Sequence, residues 1–290
     1  MKLKKNRTIS YLIILAVYAV ATAVGIFSYK ALESMSNLFL QVLAADAIAT
    51  VVVFVFSLVL NNASVYDPYW SIQPIVICFA FAFKHEKWSL STIILLAIIG
   101  VWGVRLTLNW AYTFKNLNHQ DWRYTMLKEK TGALYPLVNL LGIHLFPTFV
   151  VWAVILPAIY TIFINAEFNV YSIPFLVLSV FAIILQSVSD AQMHAYRKNR
   201  DGNFIRRGLW KYSRHPNYLS EILMWWGVGL SVVISDFSAW HLLFGAIINT
   251  LMFIFISIPM ADKRQSKKDG FDEYKKQTRA LFPIKKFMRG

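Results

Sequence analysis

Gln186, Asp190, His194 and Arg197 stand at i, i+4, i+8 and i+11 near the end of an otherwise apolar stretch. On a helix they share one continuous face. An amide, a carboxylate, an imidazole and a guanidinium in that order form a wall that can orient a polar ligand, with the guanidinium at phosphate depth. As plain structure, the same residues are an ion-pair ladder at a frayed helix end, which contributes little. Gln186 and Asp190 lie among apolar neighbours, which favours the ligand-facing reading. Just downstream, residues 201–226 read DGNFIRRGLWKYSRHPNYLSEILMWW. Arg206, Arg207 and Arg214 interleave there with aromatics. Trp210 and Lys211 suit anchoring at a headgroup layer. Pro216 suits the first position of a helix. The amide end of that helix, beside Arg214 and His215, would be a receptor for phosphate. Asn217 and Glu221 lie one turn apart on its face, with Glu221 entering the apolar run.

Two further ionisable groups sit deep in apolar segments, where a charge is costly and marks a functional candidate. They are Asp46 and Arg105, and they could pair with each other. Arg105, Asn109 and Tyr112 fall at i, i+4 and i+7, a polar stripe suited to a bundle interior or a wet cavity. None of the six His falls in an HxxxH or HExxH pattern, and Cys78 is the single cysteine. A metal site, a CxxC redox site and a disulfide framework are therefore not expected. No GxGxxG or GxxxxGK[ST] pattern points to a soluble nucleotide domain.

The elements that must position these groups follow from composition. Of 290 residues, 57% are apolar and only 15% are charged, well under the quarter or so usual for a soluble domain. Eight apolar segments stand out, at residues 9–27, 37–60, 70–83, 89–114, 137–164, 171–191, 219–234 and 239–260. Lengths near 20 residues read as transmembrane helices, with the third and seventh marginal. The expected fold is an all-α polytopic membrane protein, a bundle of about seven to eight transmembrane helices. The first helix is expected to remain uncleaved, since its apolar run continues to Phe27. The net charge is +14. With the N-terminus inside, 25 of the 29 Lys and Arg fall inside and three outside, with Arg105 within a span. That asymmetry predicts N-in and C-in with basic cytoplasmic loops, so the positive excess calls for no nucleic acid.

At GLWKYSRHPNYLSEILMWWG the sequence resembles the steroid 5-alpha-reductase-like superfamily, and its bacterial DUF1295 membrane protein family most of all. Supporting pieces are Asp67-Pro68-Tyr69-Trp70, the Arg105-Leu106 stripe followed by Asp121-Trp122-Arg123-Tyr124, the Asp190 to Arg197 stripe, Arg214-His215-Pro216-Asn217-Tyr218 with Glu221, and a tail running from Phe271 to Pro283. The resemblance covers residues 67–283. Residues 1–66 are read as N-terminal transmembrane helices without motif, and residues 67–290 as the reductase-like membrane domain. The RHPxY piece also occurs in isoprenylcysteine carboxyl methyltransferases.

The resemblance implies a multi-pass protein of a bacterial cytoplasmic membrane, its cofactor site facing the cytoplasm. It implies an NADPH-dependent reductase of an enone in a steroid-like or other lipid substrate drawn from the bilayer. In the characterised reductases an acid and a Tyr hydrogen-bond the carbonyl, hydride goes to the β carbon and a proton to the α carbon. Asp190, Arg197, Asn217 and a basic position at Lys263 or Arg264 correspond to cofactor-contacting positions, and Gln186 stands where those reductases have Asn. Around them, His194, Arg206, Arg207, Arg214 and His215 complete the expected cofactor set. The several guanidinium groups favour NADPH over NADH. The Gln–Glu pair that meets the steroid ketone has no clean counterpart: Gln73 is the candidate for its Gln, but Pro74 follows. Asp67 is the candidate acid, Tyr124 or Tyr218 the second donor, with Glu221 as a further catalytic candidate. Trp70, Gln73, Arg105 and Asn109 are the expected substrate pocket. Against the reductase stand an S-adenosylmethionine-dependent methyltransferase acting on a lipid or prenylated thiol, on the strength of the RHPxY helix, and a transporter or scaffold without chemistry, on the strength of Asp46 and Arg105.

Overall fold

Asparagines and aspartates placed ahead of apolar runs start many of the helices. Asn6 caps the first helix by accepting from the Ile9 amide at 3.0 Å, and Asn37 the second from Leu40 at 3.1 Å. Asp121 caps another from Arg123 at 2.9 Å. Each satisfies an amide that the helix itself cannot. The computed structural model describes residues 3–200 and 202–282. Asp201 and Pro283, which fall in two of the sequence motifs, lie outside them.

In chain order the helices are α1 (Arg7–Ala31), α2 (Leu38–Val59), α3 (Tyr69–His85), α4 (Leu90–Thr113), α5 (Trp122–Thr131), the short α6 (Tyr135–Val138), α7 (Phe146–Ile164), α8 (Ile173–Lys198), α9 (Pro216–Val233), α10 (Phe244–Met252), α11 (Ile258–Gln265) and α12 (Phe271–Gln277). Wider π-helical turns occupy Asn139–Leu145 and Phe253–Ser257. Among the described residues there is no strand, and Ser213 and Arg279 form an isolated parallel bridge. The protein is a polytopic membrane helical protein. Six helical stretches among the described residues are long and apolar enough to cross a membrane. The two expected segments outside that set are α3 and α9, the ones whose sequences were marginal. Their composition has a physical reason, clearest in α9. Thirteen of its 18 residues are buried within the protein, so its outer surface meets side chains rather than lipid.

The chain divides into two compact units, residues 1–87 with 99–159, and residues 88–98 with 160–290. In the first, α1 and α2 pack through Ile14, Val17, Ala21, Ala49 and Val53. Polar ties cross between its segments: Thr50 with Thr148 at 3.0 Å, Tyr66 with Thr148 at 2.8 Å, and Asn139 with Ser57 at 3.1 Å. Such bonds inside a membrane contribute about 0.6 kcal/mol each. In the second, α8 and α9 approach closely enough that a Cβ on Gly227 would lie 2.2 Å from Ser179 Oγ and 2.7 Å from the Phe175 carbonyl. Only glycine fits there, as expected where helix backbones meet in a bilayer. The Ser179 hydroxyl donates to the Met224 carbonyl at 3.1 Å across the same seam.

Candidate functional site

In the second unit, α8 and α9 bring together the two stripes that the sequence singled out. Gln186 donates through Nε2 to Glu221 Oε2 at 2.8 Å, and Trp225 Nε1 donates to Glu221 Oε1 at 2.9 Å. Glu221 is buried, and a carboxylate with a donor on each oxygen is held as an acceptor. Glu221, a further catalytic candidate in the sequence, is thus bonded to Gln186 and Trp225. The neighbouring amides are left with unused capacity. Gln186 Oε1 and Asn217 Oδ1 are both buried and meet no donor from the chain, a cost that a bound N–H group would remove.

Farther along α8 the charge turns positive. Arg197 lies within electrostatic reach of Asp190, Arg200 and Arg264, and His194 is near both Asp190 and Arg197. Lys268 joins the group. Its ammonium is pushed below the ordinary lysine value by partial desolvation and by Arg264, Arg200 and Arg197. Like charges gathered around a lysine disfavour its protonated form. Arg200 and Lys268 were not singled out from the sequence, where they read only as loop and tail charge. Lys263, on α11, is exposed. The loop between α8 and α9 folds back on α8: Gly208, at φ +60°, lies against the Gln192 side chain, and the Leu209 amide donates to Gln192 Oε1 at 2.9 Å. Arg206 and Arg207 line a cavity of about 390 Å³ with Asn203, Phe204 and Asp269. Arg206 is partly committed already, donating to the Gly270 carbonyl at 2.7 Å with its guanidinium 4.4 Å above the Phe204 ring.

Arg214 and His215 correct an expectation. Both were expected to face a ligand, yet both are buried and bound to Asp262. Arg214 makes a two-pronged contact with that carboxylate, at 2.8 and 3.3 Å, and donates its remaining nitrogen to the Thr278 carbonyl. His215 Nε2 sits 3.0 Å from Asp262 Oδ1. The backbone amides of Arg214 and His215 donate to the carbonyls of Arg279 and Ala280, each at 3.0 Å. Pro216 does start α9 as expected, but Asp262 supplies the anion that the cations beside this helix end call for. Sequence reasoning missed Asp262. Its signal was a lone acid at the point where an apolar helix turns basic. Tyr218, half-buried, stacks on the His215 ring at 5.1 Å and touches Phe253 of the π-helical turn at 4.9 Å.

The first unit holds the other carboxylates. Asp46 is buried on α2 and accepts from Gln73 Nε2 and from the Tyr69 hydroxyl at 3.4 Å. An amide and a phenol, rather than Arg105, are its partners. Gln73 Oε1 is buried and meets no donor. His144, fully buried beside Tyr66 at a ring distance of 4.8 Å, has the same unmet capacity at Nε2. Trp70 packs edge-on against Trp102 at 6.0 Å. Arg105 and Asn109 are half-buried on α4. Asp67 and Tyr124 come together: the Tyr124 hydroxyl donates to Asp67 Oδ1 at 2.6 Å. Burial raises the Asp67 carboxyl to about 6. Arg123 opposes that rise, Asp121 adds to it, and bonds from Tyr124 and Ser64 oppose it. The Arg123 guanidinium itself bonds Asp121 at 2.8 Å.

By its helices the chain is a polytopic membrane protein, with cations gathered at the end of α8. The particular family follows from comparison. The sequence model of the family described as "Protein of unknown function (DUF1295)" matches residues 53–278, and the chain belongs to that family, part of the steroid 5-alpha-reductase-like group. An uncharacterized protein of Schizosaccharomyces pombe (strain 972 / ATCC 24843) is 24% identical over 193 residues, covering 57% of this chain and 56% of that one. The chain thus spans little more than half the length of this relative. No solved structure matches the chain.

Proposed function

We propose that the protein is an NADPH-dependent reductase of a carbon–carbon double bond conjugated to a carbonyl, in a steroid-like or other lipid substrate. The Asp67–Tyr124 pair carries this reading. A carboxyl raised to about 6 and a phenol 2.6 Å away are two donors fitted to a carbonyl oxygen on which negative charge builds. Asp67 gives its proton to that hydrogen bond only while neutral. The phenol supplies the second bond once it turns from the carboxyl. Trp70, Gln73, Arg105 and Asn109 stay with this end as substrate-orienting candidates.

The residues of the second unit suit the cofactor that the family implies. Gln186 Oε1 and Asn217 Oδ1 are acceptors awaiting N–H groups such as those of a carboxamide or an adenine. The cations Arg197, Arg200, Arg264 and Lys268 suit phosphates, with Asp190 and His194 beside them and Arg207, Arg206 and Lys263 at the periphery. When bound, NADPH supplies the hydride. Glu221 fixes Gln186, and Arg214 and His215 fix the start of α9. The methyltransferase reading drew on the RHPxY helix. Here Arg214 and His215, just ahead of that helix, are bonded to Asp262, which weakens the motif as an argument for methyl transfer.

The test is ligand-induced stabilisation of the detergent-purified protein by NADPH, NADH and S-adenosylmethionine, followed by oxidation of NADPH with an enone-bearing lipid. Stabilisation by NADPH above NADH, with turnover, is expected. Stabilisation by S-adenosylmethionine and not by NADPH would replace the reductase with the methyltransferase.

A further inference from the structure

Residues of the first unit enclose a second cavity that the proposed reductase does not use. It measures about 310 Å³, within the range of about 300–1,000 Å³ typical of ligand sites. Its wall is formed at the end of α2, by residues 61–63 and 120 and along residues 128–139; besides Ser57 and Asn62, which are bonded within the chain, its polar groups are Asn61, Gln120, Lys128, Tyr135 and Asn139. Their bonding leaves a specific set of valences. Lys128 Nζ donates to Asn61 Oδ1 at 2.9 Å and lies 5.8 Å from the Tyr135 ring centre. With its oxygen held by Lys128, Asn61 has its N–H groups to offer. Gln120 accepts the Ala63 amide through Oε1 at 2.9 Å and, with one N–H directed at Thr125 Oγ1 at 3.5 Å, keeps a second to offer. The Tyr135 hydroxyl is buried and meets no partner. Asn139, 2% exposed, donates to Ser57 and keeps a buried Oδ1 that no donor meets. No acidic residue lines the cavity.

One cation and several donors call for an anion. One buried acceptor calls for a donor carried beside that anion. Beside the cavity, Leu58 is 44% exposed, and Leu134, Leu137 and Leu141 are 65, 54 and 51% exposed. The last three lie within a stretch apolar enough to span a membrane, so exposed apolar side chains adjoin a polar pocket. We infer that this cavity binds a phosphate ester whose alcohol carries a hydroxyl or ammonium group, the chemistry of a phosphoglycerol or phosphoethanolamine headgroup. Lys128, Asn61 and Tyr135 take the phosphate, and Asn139 Oδ1 takes the hydroxyl or ammonium. The acyl chains lie along Leu134, Leu137 and Leu141. Choline has no N–H or O–H to offer Asn139, so phosphatidylcholine is the poorer ligand.

The full chain is reconstituted in bilayer discs of equal phosphatidylglycerol and phosphatidylcholine, and retained lipid is measured by native mass spectrometry. The wild type is expected to retain phosphatidylglycerol in preference. Lys128→Met, a change at an exposed residue that leaves folding intact, is expected to lower retention about tenfold, the usual effect of losing one bond to a charged group. Lys128→Arg restores it. Asn139→Leu is expected to abolish the preference over phosphatidylcholine while phosphate-dependent retention persists. Thermal stabilisation by inorganic phosphate and by glycerol 3-phosphate separates the sources. If they protect the wild type but not Lys128→Met and lipid is not retained, the same site takes a soluble phosphate. Equal retention of the two lipids by the wild type, together with no phosphate effect that depends on Lys128, would overturn the inference.

Discussion

Asp262 and Asp67 solve the same problem in opposite ways. Taking a carboxylate out of water costs several kcal/mol unless opposite charge and hydrogen bonds replace the solvent. Asp262 has that replacement in full, with a guanidinium across both oxygens and an imidazole at 3.0 Å. Asp67 has a phenol at 2.6 Å, while the nearby guanidinium of Arg123 is bonded to Asp121. The first arrangement is finished and holds the 278–280 segment to the start of α9. The second is unfinished, and its carboxyl rises to about 6. A group left on the edge of protonation is suited to exchanging a hydrogen bond with something that arrives.

The strongest test of this contrast removes the finished side. Asp262→Ala leaves Arg214 and His215 buried without an anion, and breaking such a pair costs about 3–5 kcal/mol. The expected result is loss of thermal stability and ready proteolysis after α11. Arg214→Met with His215→Phe and Asp262→Leu should recover most of the stability. If Asp262→Ala stays as stable as the wild type but loses NADPH affinity, Asp262 belongs to the cofactor site and the contrast fails.

The unfinished side should respond in chemistry rather than in folding. Tyr124→Phe removes a donor, and losing one such donor costs about 10²–10³ in turnover. It also removes a bond that holds the Asp67 carboxyl down, so the decline of activity with pH should move upward from about 6. The sign for stability follows from the raised value. The folded state keeps the proton more tightly than the unfolded chain, so this contribution is complete below the ordinary aspartate range and is lost as pH rises through about 6. Asp67→Asn should keep substantial activity and lose the alkaline decline. A folded, NADPH-binding Asn variant without turnover would show that the ionised carboxylate is the working form.

Intermediate in size is the effect on cofactor binding. Arg197→Lys keeps the charge but loses the planar fork that grips a phosphate in two places. About a tenfold weakening of NADPH binding is expected, in proportion to one charge-assisted bond. Unchanged affinity would place Arg197 outside the cofactor set.

How far these residues could be read without coordinates depended on whether their signal was local. Helix periodicity placed Gln186, Asp190, His194 and Arg197 on one face, and Pro216 marked the start of α9, because both are set by neighbours in the chain. The marginal hydropathy of α3 and α9 was equally local. The roles of Arg214 and His215 were misread because their partner, Asp262, is 47 residues from His215, and no spacing rule connects them. Tyr124 and Asp67, 57 residues apart, could be nominated as donors to one carbonyl, but no spacing rule chose Tyr124 over Tyr218. Asp46 stands out in the sequence as an acid deep in an apolar segment, with Arg105 as one partner that spacing alone allows. Gln73, a neutral amide in a helix with Pro74, meets it instead.

The smallest effect expected also tests whether the cation cluster of the second unit is waiting for an anion. Lys268 sits below its ordinary value because of partial desolvation and the repulsion of Arg264, Arg200 and Arg197. With no phosphate in place, its charge works against folding. Since the native state holds this proton less tightly than the unfolded chain, stability rises as pH climbs towards the ordinary lysine range. Lys268→Met should therefore raise the melting temperature of the cofactor-free protein slightly. The same change should weaken NADPH binding about threefold, as expected for an exposed, screened charge, and the weakening should fade at high salt. Opposite signs for the two measurements are the signature of a cation held in place for a ligand. A lysine that merely decorates the surface would move neither, and one that supports the fold would lower both.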